Sequence, residues 1–324
     1  MRPTSRMLVA FILSMVIALS ISTDYVYARR DIPDDNLEIP VLFIGEKTAG
    51  SGFFYDNDKF HYFITARHVL FEDTSTTLEK IPEDLQIPDH LLYRVAYEKN
   101  KKQLIFRGVM SSHEKDELIK SASNNEPFRD AIEQLYKNSQ RLKLKNNKAT
   151  LLSYRYDAKT EINEIELEIV KLFNDGKIKY HPSIDVALIK IGTTVISGEK
   201  RSLDISAGAI KKKSAGITAI GTGSIKLYKD VLVGNTVYAF GYPVSVTNNP
   251  LLDVRAPLIR KGIVAGKNDK IKTIILDCPL HPGNSGGLVL EVEKVLPGGS
   301  EEYRAIGLVT NSIPFRKERK NREH

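Results

Sequence analysis

Cysteine occurs once in the 324 residues, at Cys278, and tryptophan does not occur at all. A single cysteine forms no intramolecular disulfide, and a metal site built on cysteine pairs is excluded by the same count. Exported animal proteins of this size usually carry several cysteines, whereas a bacterial export compartment tolerates none, so the source reads as bacterial. Internal repeats and long low-complexity regions are also missing. With 42% hydrophobic and 27% charged residues, neither extended disorder nor a polytopic membrane protein fits the composition.

The one long apolar run lies at the N-terminus. Arg2 and Arg6 precede residues 7–21, and Val26-Tyr27-Ala28 presents small side chains at the two positions a signal peptidase reads. The run is shorter than the ~20 residues a spanning helix needs. Residues 1–28 are therefore expected to be a secretory signal, with a membrane anchor over residues 7–22 as the alternative. In either case the functional part lies outside the cytoplasm, periplasmic or secreted. Net charge is +7, thinly spread apart from Lys211-Lys212-Lys213 and a basic tail over 316–322. These read as a solvated loop and tail. Without interleaved aromatics or a recognition motif they do not suggest nucleic-acid binding.

From Glu38 onward apolar residues come in short bursts. Residues 39–44, 53–55 and 62–65 read as strands, the last two flanking the turn Asp56-Asn57-Asp58. Residues 111–147 differ: Phe128, Ile132, Leu135 and Tyr136 recur at helical spacing, with Asn125 as cap and Pro127 in the first turn. Helical texture there suggests an insertion. Strand texture returns at 150–156 and 164–173, followed by the turn Asn174-Asp175-Gly176 and a buried strand at 186–191. Residues 192–216 loosen into Ser, Gly and Lys and read as a connection between lobes. Further strands are expected at 231–240, 258–264, 272–276, 288–292 and 303–310. Many short strands punctuated by Gly and Pro indicate barrels or a sandwich.

Three segments carry chemistry. In His281-Pro282-Gly283-Asn284-Ser285-Gly286-Gly287 a serine sits between glycines, where a tight turn lets backbone approach a substrate. Acyl transfer needs a nucleophilic oxygen beside two N–H groups aimed at the developing oxyanion, and Gly283 and Ser285 offer them. His68, in Thr65-Ala66-Arg67-His68-Val69, follows an apolar strand. It suits a general base for that hydroxyl, with a structural histidine as the bland reading. Asp185, in Ser183-Ile184-Asp185-Val186-Ala187-Leu188, opens an apolar run where a carboxylate needs a partner. The Nδ1–H of a histidine would serve, as would backbone N–H groups.

Together these segments resemble the trypsin-like serine peptidases, in that family's order His, Asp, Ser, and among them the bacterial Deg/HtrA type. Gly50-Ser51-Gly52-Phe53, the run Val237-Tyr238-Ala239-Phe240-Gly241-Tyr242-Pro243 and Asp277-Cys278-Pro279-Leu280 support the resemblance, which covers roughly 40–75, 183–192 and 230–312. It implies an all-β fold of two six-stranded-type antiparallel barrels. The first would span 29–205 with a partly helical insertion at about 72–150, and the second 206–324. It implies a serine endopeptidase with Ser285 as nucleophile, His68 as base, Asp185 as orienter and Gly283 and Ser285 as oxyanion donors. Peptides are the expected partners, and no cofactor or metal is needed. Pro279 and Thr310 fall at the expected specificity pocket. No acid stands at its floor, so selection for Lys or Arg is not expected, although Asp277 is near.

There are departures. His68 and Asp185 are 117 residues apart, which leaves about 80 residues inserted. Only 39 residues follow Ser285, too few for a PDZ domain, and the last barrel strand is short or missing. Asn284 stands where digestive members carry an aspartate that pairs with a new N-terminus, so activation by propeptide cleavage is not expected. A protease-fold binding module in the cell envelope, without turnover, is the alternative these departures motivate.

Overall fold

A computed structural model describes residues 32, 34–72, 75–79, 81–82, 85–92, 94–98, 103–121, 125–154, 162–197, 200–213, 217–242, 257–294 and 301–310. The expected export signal and the basic tail lie outside these residues. No described helix is long and apolar enough to cross a membrane.

The first lobe is organised by period-two patterning. Its strands are β1 (Pro40–Gly45), β2 (Ala49–Asp56), β3 (Phe60–Thr65), β7 (Lys148–Tyr154), β8 (Ile162–Glu168), β9 (Ile178–Tyr180), β10 (Ala187–Ser197), β11 (Lys200–Ile205), β12 (Ala209–Lys213) and the short β13 (Ile220–Gly221). Val41 and Phe43, Ala149 and Leu151, Ile165 and Leu167, and Ala187, Ile189 and Ile191 all enter one core with Phe54 and Phe63. Alternate residues must share a face of a strand, so Glu164, Glu166 and Glu168 are sent outward by the same pattern that buries Ile165 and Leu167. The β2–β3 hairpin turns at Asp58, whose φ of 69° is one that Asp tolerates better than most residues. The sheet runs β11-β10-β3-β2-β1-β7-β8-β12. Its two edge strands follow each other in sequence across the turn 206–208, where Gly208 has φ 95°. The sheet therefore curls back upon itself.

The insertion departs from the wall of this lobe. Phe71 bridges to Leu144, Glu72 N donates to Lys143 O at 2.8 Å, and Lys145 N donates to Leu70 O at 3.0 Å. Between these neck residues lie β4 (Ser75–Leu78), β5 (Val95–Glu98) and β6 (Gln103–Arg107), ordered β4-β6-β5, with the helices α2 (Ser112–Ser121) and α3 (Glu126–Ser139). Asn125 caps α3, its side chain accepting from Phe128 N at 3.1 Å, and Pro127 stands in the first turn. Phe128, Ile132 and Leu135 join Leu104, Phe106, Met110 and Leu118 in a core separate from that of the lobe. The expected insertion is thus a small α+β unit. It ends earlier than 150, because β7 begins at Lys148 and pairs with β1.

The second lobe is a five-stranded antiparallel sheet among the described residues, β16-β15-β14-β17-β18. These strands are β14 (Thr236–Gly241), β15 (Leu258–Asn268), β16 (Thr273–Asp277), β17 (Leu288–Lys294) and β18 (Glu301–Leu308). Val231, Val237, Ala239, Val264, Val289 and Val309 form its core. An all-β molecule of two curled antiparallel sheets is the architecture expected.

Two expectations are corrected. The described residues of 192–216 are not a connection: they hold the second half of β10 with β11 and β12, and β13 then pairs with β2, so the first lobe extends past 205/206 to Gly221. Its edge strand β12 pairs with β8, and Lys212 Nζ lies 3.2 Å from Glu166. Lys211-Lys212-Lys213 are therefore exposed residues of a charged strand edge, a device that discourages further strand pairing, rather than a loop. Residues 169–173, expected to continue a strand, belong to helix α4 (Ile169–Asn174). Ile169 and Leu172, three apart, both reach the core, and Gly176 at φ 68° ends the turn.

Because the insertion has its own core and a bonded neck, replacing residues 73–141 by a short Gly/Ser linker should leave the first lobe folded. Far-UV circular dichroism and a cooperative melt would check this; loss of the cooperative transition would show that the insertion belongs to the lobe's core.

Candidate active site

Each proposed residue stands at the end of a strand or in the turn leading into one. β3 ends at Thr65, and the chain turns at once into the single-turn helix α1 (Arg67–Leu70), of which His68 is the second residue. Val69 and Leu70 are buried and lock this turn onto the lobe. Asp185 ends the loop 181–185 between β9 and β10. The two strands flanking that loop pair with each other, and β10 also pairs with β3, which brings residues 117 apart into contact. His68 Nδ1 lies 2.6 Å from Asp185 Oδ2, and His68 N donates to Asp185 Oδ1 at 3.0 Å. The side chains are 34% and 19% exposed, so solvent reaches the imidazole more than the carboxylate. Burial pushes the Asp185 carboxyl up, but its hydrogen bonds and attraction to His68 outweigh this and hold it below the usual carboxylate range.

Ser285 comes from the second lobe, on the turn before β17. Asn284 N donates to His281 O at 3.1 Å and Gly287 N to Asn284 O at 2.8 Å, making two successive turns. Gly283 and Gly286 have φ of 98° and 85°, which a side chain would strain. At Gly286 space is lacking as well, since a Cβ would lie 2.1 Å from Ser51 O and 2.9 Å from Ala66 N. The serine turn therefore presses against the strand end that leads to His68. No hydrogen bond joins Ser285 Oγ to His68 among the described residues. The N–H groups of Gly283 and Ser285 likewise donate to no described residue. Asn284 is 1% exposed and packs on Gly241, its Oδ1 without a partner among the described residues.

What joins the lobes here is Ser51, fully buried on β2. Its N donates to Ser285 O at 2.9 Å, its Oγ donates to Gly283 O and accepts from Tyr242 N, both at 2.8 Å, and its O accepts from Thr65 Oγ1 at 2.7 Å. The sequence motif around it gave no role to Ser51; a small hydroxyl between glycines was the available signal. Pro279, by contrast, is exposed and Thr310 half-buried. Cys278 is half-buried and packs on Gly262; burial pushes its thiol up, away from the reactive thiolate. Among the described residues no cluster suits a metal ion.

Residues 158–298 match the family model of the trypsin-like peptidase domain. The match takes in Asp185 and Ser285 and begins after His68, from which the insertion separates it. No curated protein sequence matches the chain. Among solved structures, Deg5 is 15% identical, with 80% of this chain and 76% of that chain covered at a TM-score of 0.36. The HtrA-type protease AlgW with a tripeptide is 12% identical, with 79% and 48% covered at 0.33, so the chain spans about half the length of AlgW. Both are distant likenesses.

Ser51→Ala removes one hydroxyl yet leaves Tyr242 N buried without it, at about 1–3 kcal/mol for an orphaned group, and half-buried Gly283 O without its donor. Denaturant unfolding should show a loss of at least about 1 kcal/mol; a wild-type midpoint would mean that the bridge contributes nothing. Asp185 supplies a second test. Its folded-state value is depressed, so the unfolded chain binds the proton first, and this stability is present above the ordinary carboxylate range and lost as pH falls through the depressed value. Asp185→Asn should therefore flatten the acid side of the stability profile, measured by unfolding at pH 3 and pH 7; an unchanged slope would show that the carboxylate makes no net contribution.

Proposed function

Given that residues 158–298 match the trypsin-like peptidase domain, we propose that the protein is a serine endopeptidase working through an acyl-enzyme. The observation that carries this is the two-point contact between Asp185 and His68 at the foot of the Ser285 turn. With Nδ1–H held by the carboxylate, Nε2 keeps its lone pair and can take the proton of Ser285 Oγ as that oxygen attacks a peptide carbonyl. The carbonyl oxygen becomes an oxyanion, and the N–H groups of Gly283 and Ser285 stabilise it. His68 then passes its proton to the leaving amine, and water deacylates Ser285 by the same route in reverse. The Ser–His contact is left to be made in the substrate complex, where such bonds tighten.

Peptides or unfolded segments are the substrate class of this reading. Pro279 and Thr310 are the residues assigned to the specificity pocket, with no preference for Lys or Arg expected. Export by residues 1–28, with Arg29 as the first mature residue, belongs to the same proposal.

A fluorophosphonate probe should label the folded wild type once, at Ser285, and should not label Ser285→Ala. That variant should lose turnover on the order of 10⁶-fold, as for a similar triad on another fold, while melting as wild type does. Folded wild-type protein that resists the probe and cleaves no peptide library would overturn the enzyme reading in favour of a protease-fold binding module.

A further inference from the structure

We propose that the insertion belongs to the catalytic apparatus: its buried Arg94–Glu114 pair positions Asp185 through Ser183. This rests on the peptidase reading of the site. Asp185 ends a loop without ladder partners, whose shape is set internally by His181: its Nδ1 accepts from Ser183 N at 3.2 Å and Ile184 N at 2.9 Å. That fold turns the carbonyls of His181 and Pro182 toward Arg67, whose guanidinium bonds to both. It also directs the Ser183 hydroxyl into the insertion, where it donates to Glu114 Oε2 at 3.0 Å.

Glu114 is rigidly held. Its Oε2 also accepts from Ser111 N at 2.7 Å, and its other oxygen pairs with Arg94. Arg94 in turn bonds to Val109 O and lies 4.6 Å over the Phe106 ring. The two side chains are 5% and 7% exposed. A buried ion pair is a poor stabiliser beside apolar packing of the same volume, and the insertion already has an apolar core. What the pair does achieve is a fixed acceptor aimed out of the insertion at the Asp185 loop. Two further contacts run the same way. The Arg67 guanidinium packs on Gly108, where a Cβ would lie 2.6 Å from its Nη2, and Lys145, in the neck, donates to His68 O at 2.6 Å. Both members of the His–Asp pair are thus braced from the insertion side.

Glu114→Ala would strand Arg94 in the interior, so Ser183, which touches no reacting atom, is the residue to vary in the full chain. Ser183→Ala should lower kcat and the rate of fluorophosphonate labelling by about tenfold or more, the scale of a small misplacement. KM should stay within about twofold and the melting temperature should be unchanged. Ser183→Thr, which keeps the hydroxyl, should restore the rate. In an Asp185→Ala background Ser183→Ala should cost nothing more, because the two act through one contact. Wild-type labelling in Ser183→Ala, or an equal loss in the Asp185→Ala background, would overturn the inference and leave the peptidase reading standing. The low-field NMR resonance of the His68 Nδ1 proton, identified by its loss in Asp185→Ala, needs no turnover. If the wild type proves inert, a resonance displaced by Ser183→Ala still supports positioning, and an unmoved one overturns it.

Discussion

The arrangement depends on one buried serine of the first lobe, Ser51, whose hydroxyl and backbone together bond to both sides of the site. Ser51 lies on β2 of the first lobe, and through its N–H, its Oγ and its O it reaches Ser285, Gly283, Tyr242 and Thr65. Thr65 is the last residue before the turn that carries His68. One residue, through its backbone as much as its side chain, therefore ties the strand end of one lobe to the serine turn of the other. Because these bonds run through one buried residue, a shift of either lobe would break several of them at once. The glycines on either side follow from the same constraint. A Cβ at Gly50 would meet Val69 at 2.8 Å, and one at Gly52 would enter the Phe63 ring.

Much of this was legible in the sequence because periodicity and punctuation are local. The hairpin at Asn57, the capped helix after Asn125 and the alternating strands of both lobes each announce themselves within about ten residues. The His68–Asp185 pair was legible as a pairing of types, since a carboxylate opening an apolar run needs a donor. Residues 169–173 misled because Ile169-Val170-Lys171-Leu172-Phe173 suits either period, and a short apolar run does not distinguish a helical turn from a strand end. Residues 192–216 misled for a different reason. Ser, Gly and Lys suit loops, yet they suit equally an edge strand that must face water on one side and repel other strands on its free margin. That choice was made by pairing with β8, some forty residues earlier, which no local window contains.

Ser51 and Ser183 were illegible in their roles for a related reason. Each is a small polar residue in a loop-like or glycine-rich setting, and its function consists of partners 232 and 69 positions away. Chemistry-bearing residues can be found by type; the residues that hold them in place are defined by contacts that only the fold creates.

The insertion changes how the lobe can be viewed. In a lobe whose pair of catalytic residues is bonded only to its own strands, an added unit at a loop would be a neutral appendage, and its sequence would be free to drift. Here the unit returns a carboxylate to the loop that ends at Asp185 and packs its backbone on the arginine next to His68. Glu114 stands on α2 beside Leu118 of that separate core, so the carboxylate that holds Ser183 belongs to the packing of the insertion and not to a strand of the lobe. The contact chain is short: from the helix packing to Glu114, from Glu114 to Ser183, and along two residues of backbone to Asp185, which bonds to His68.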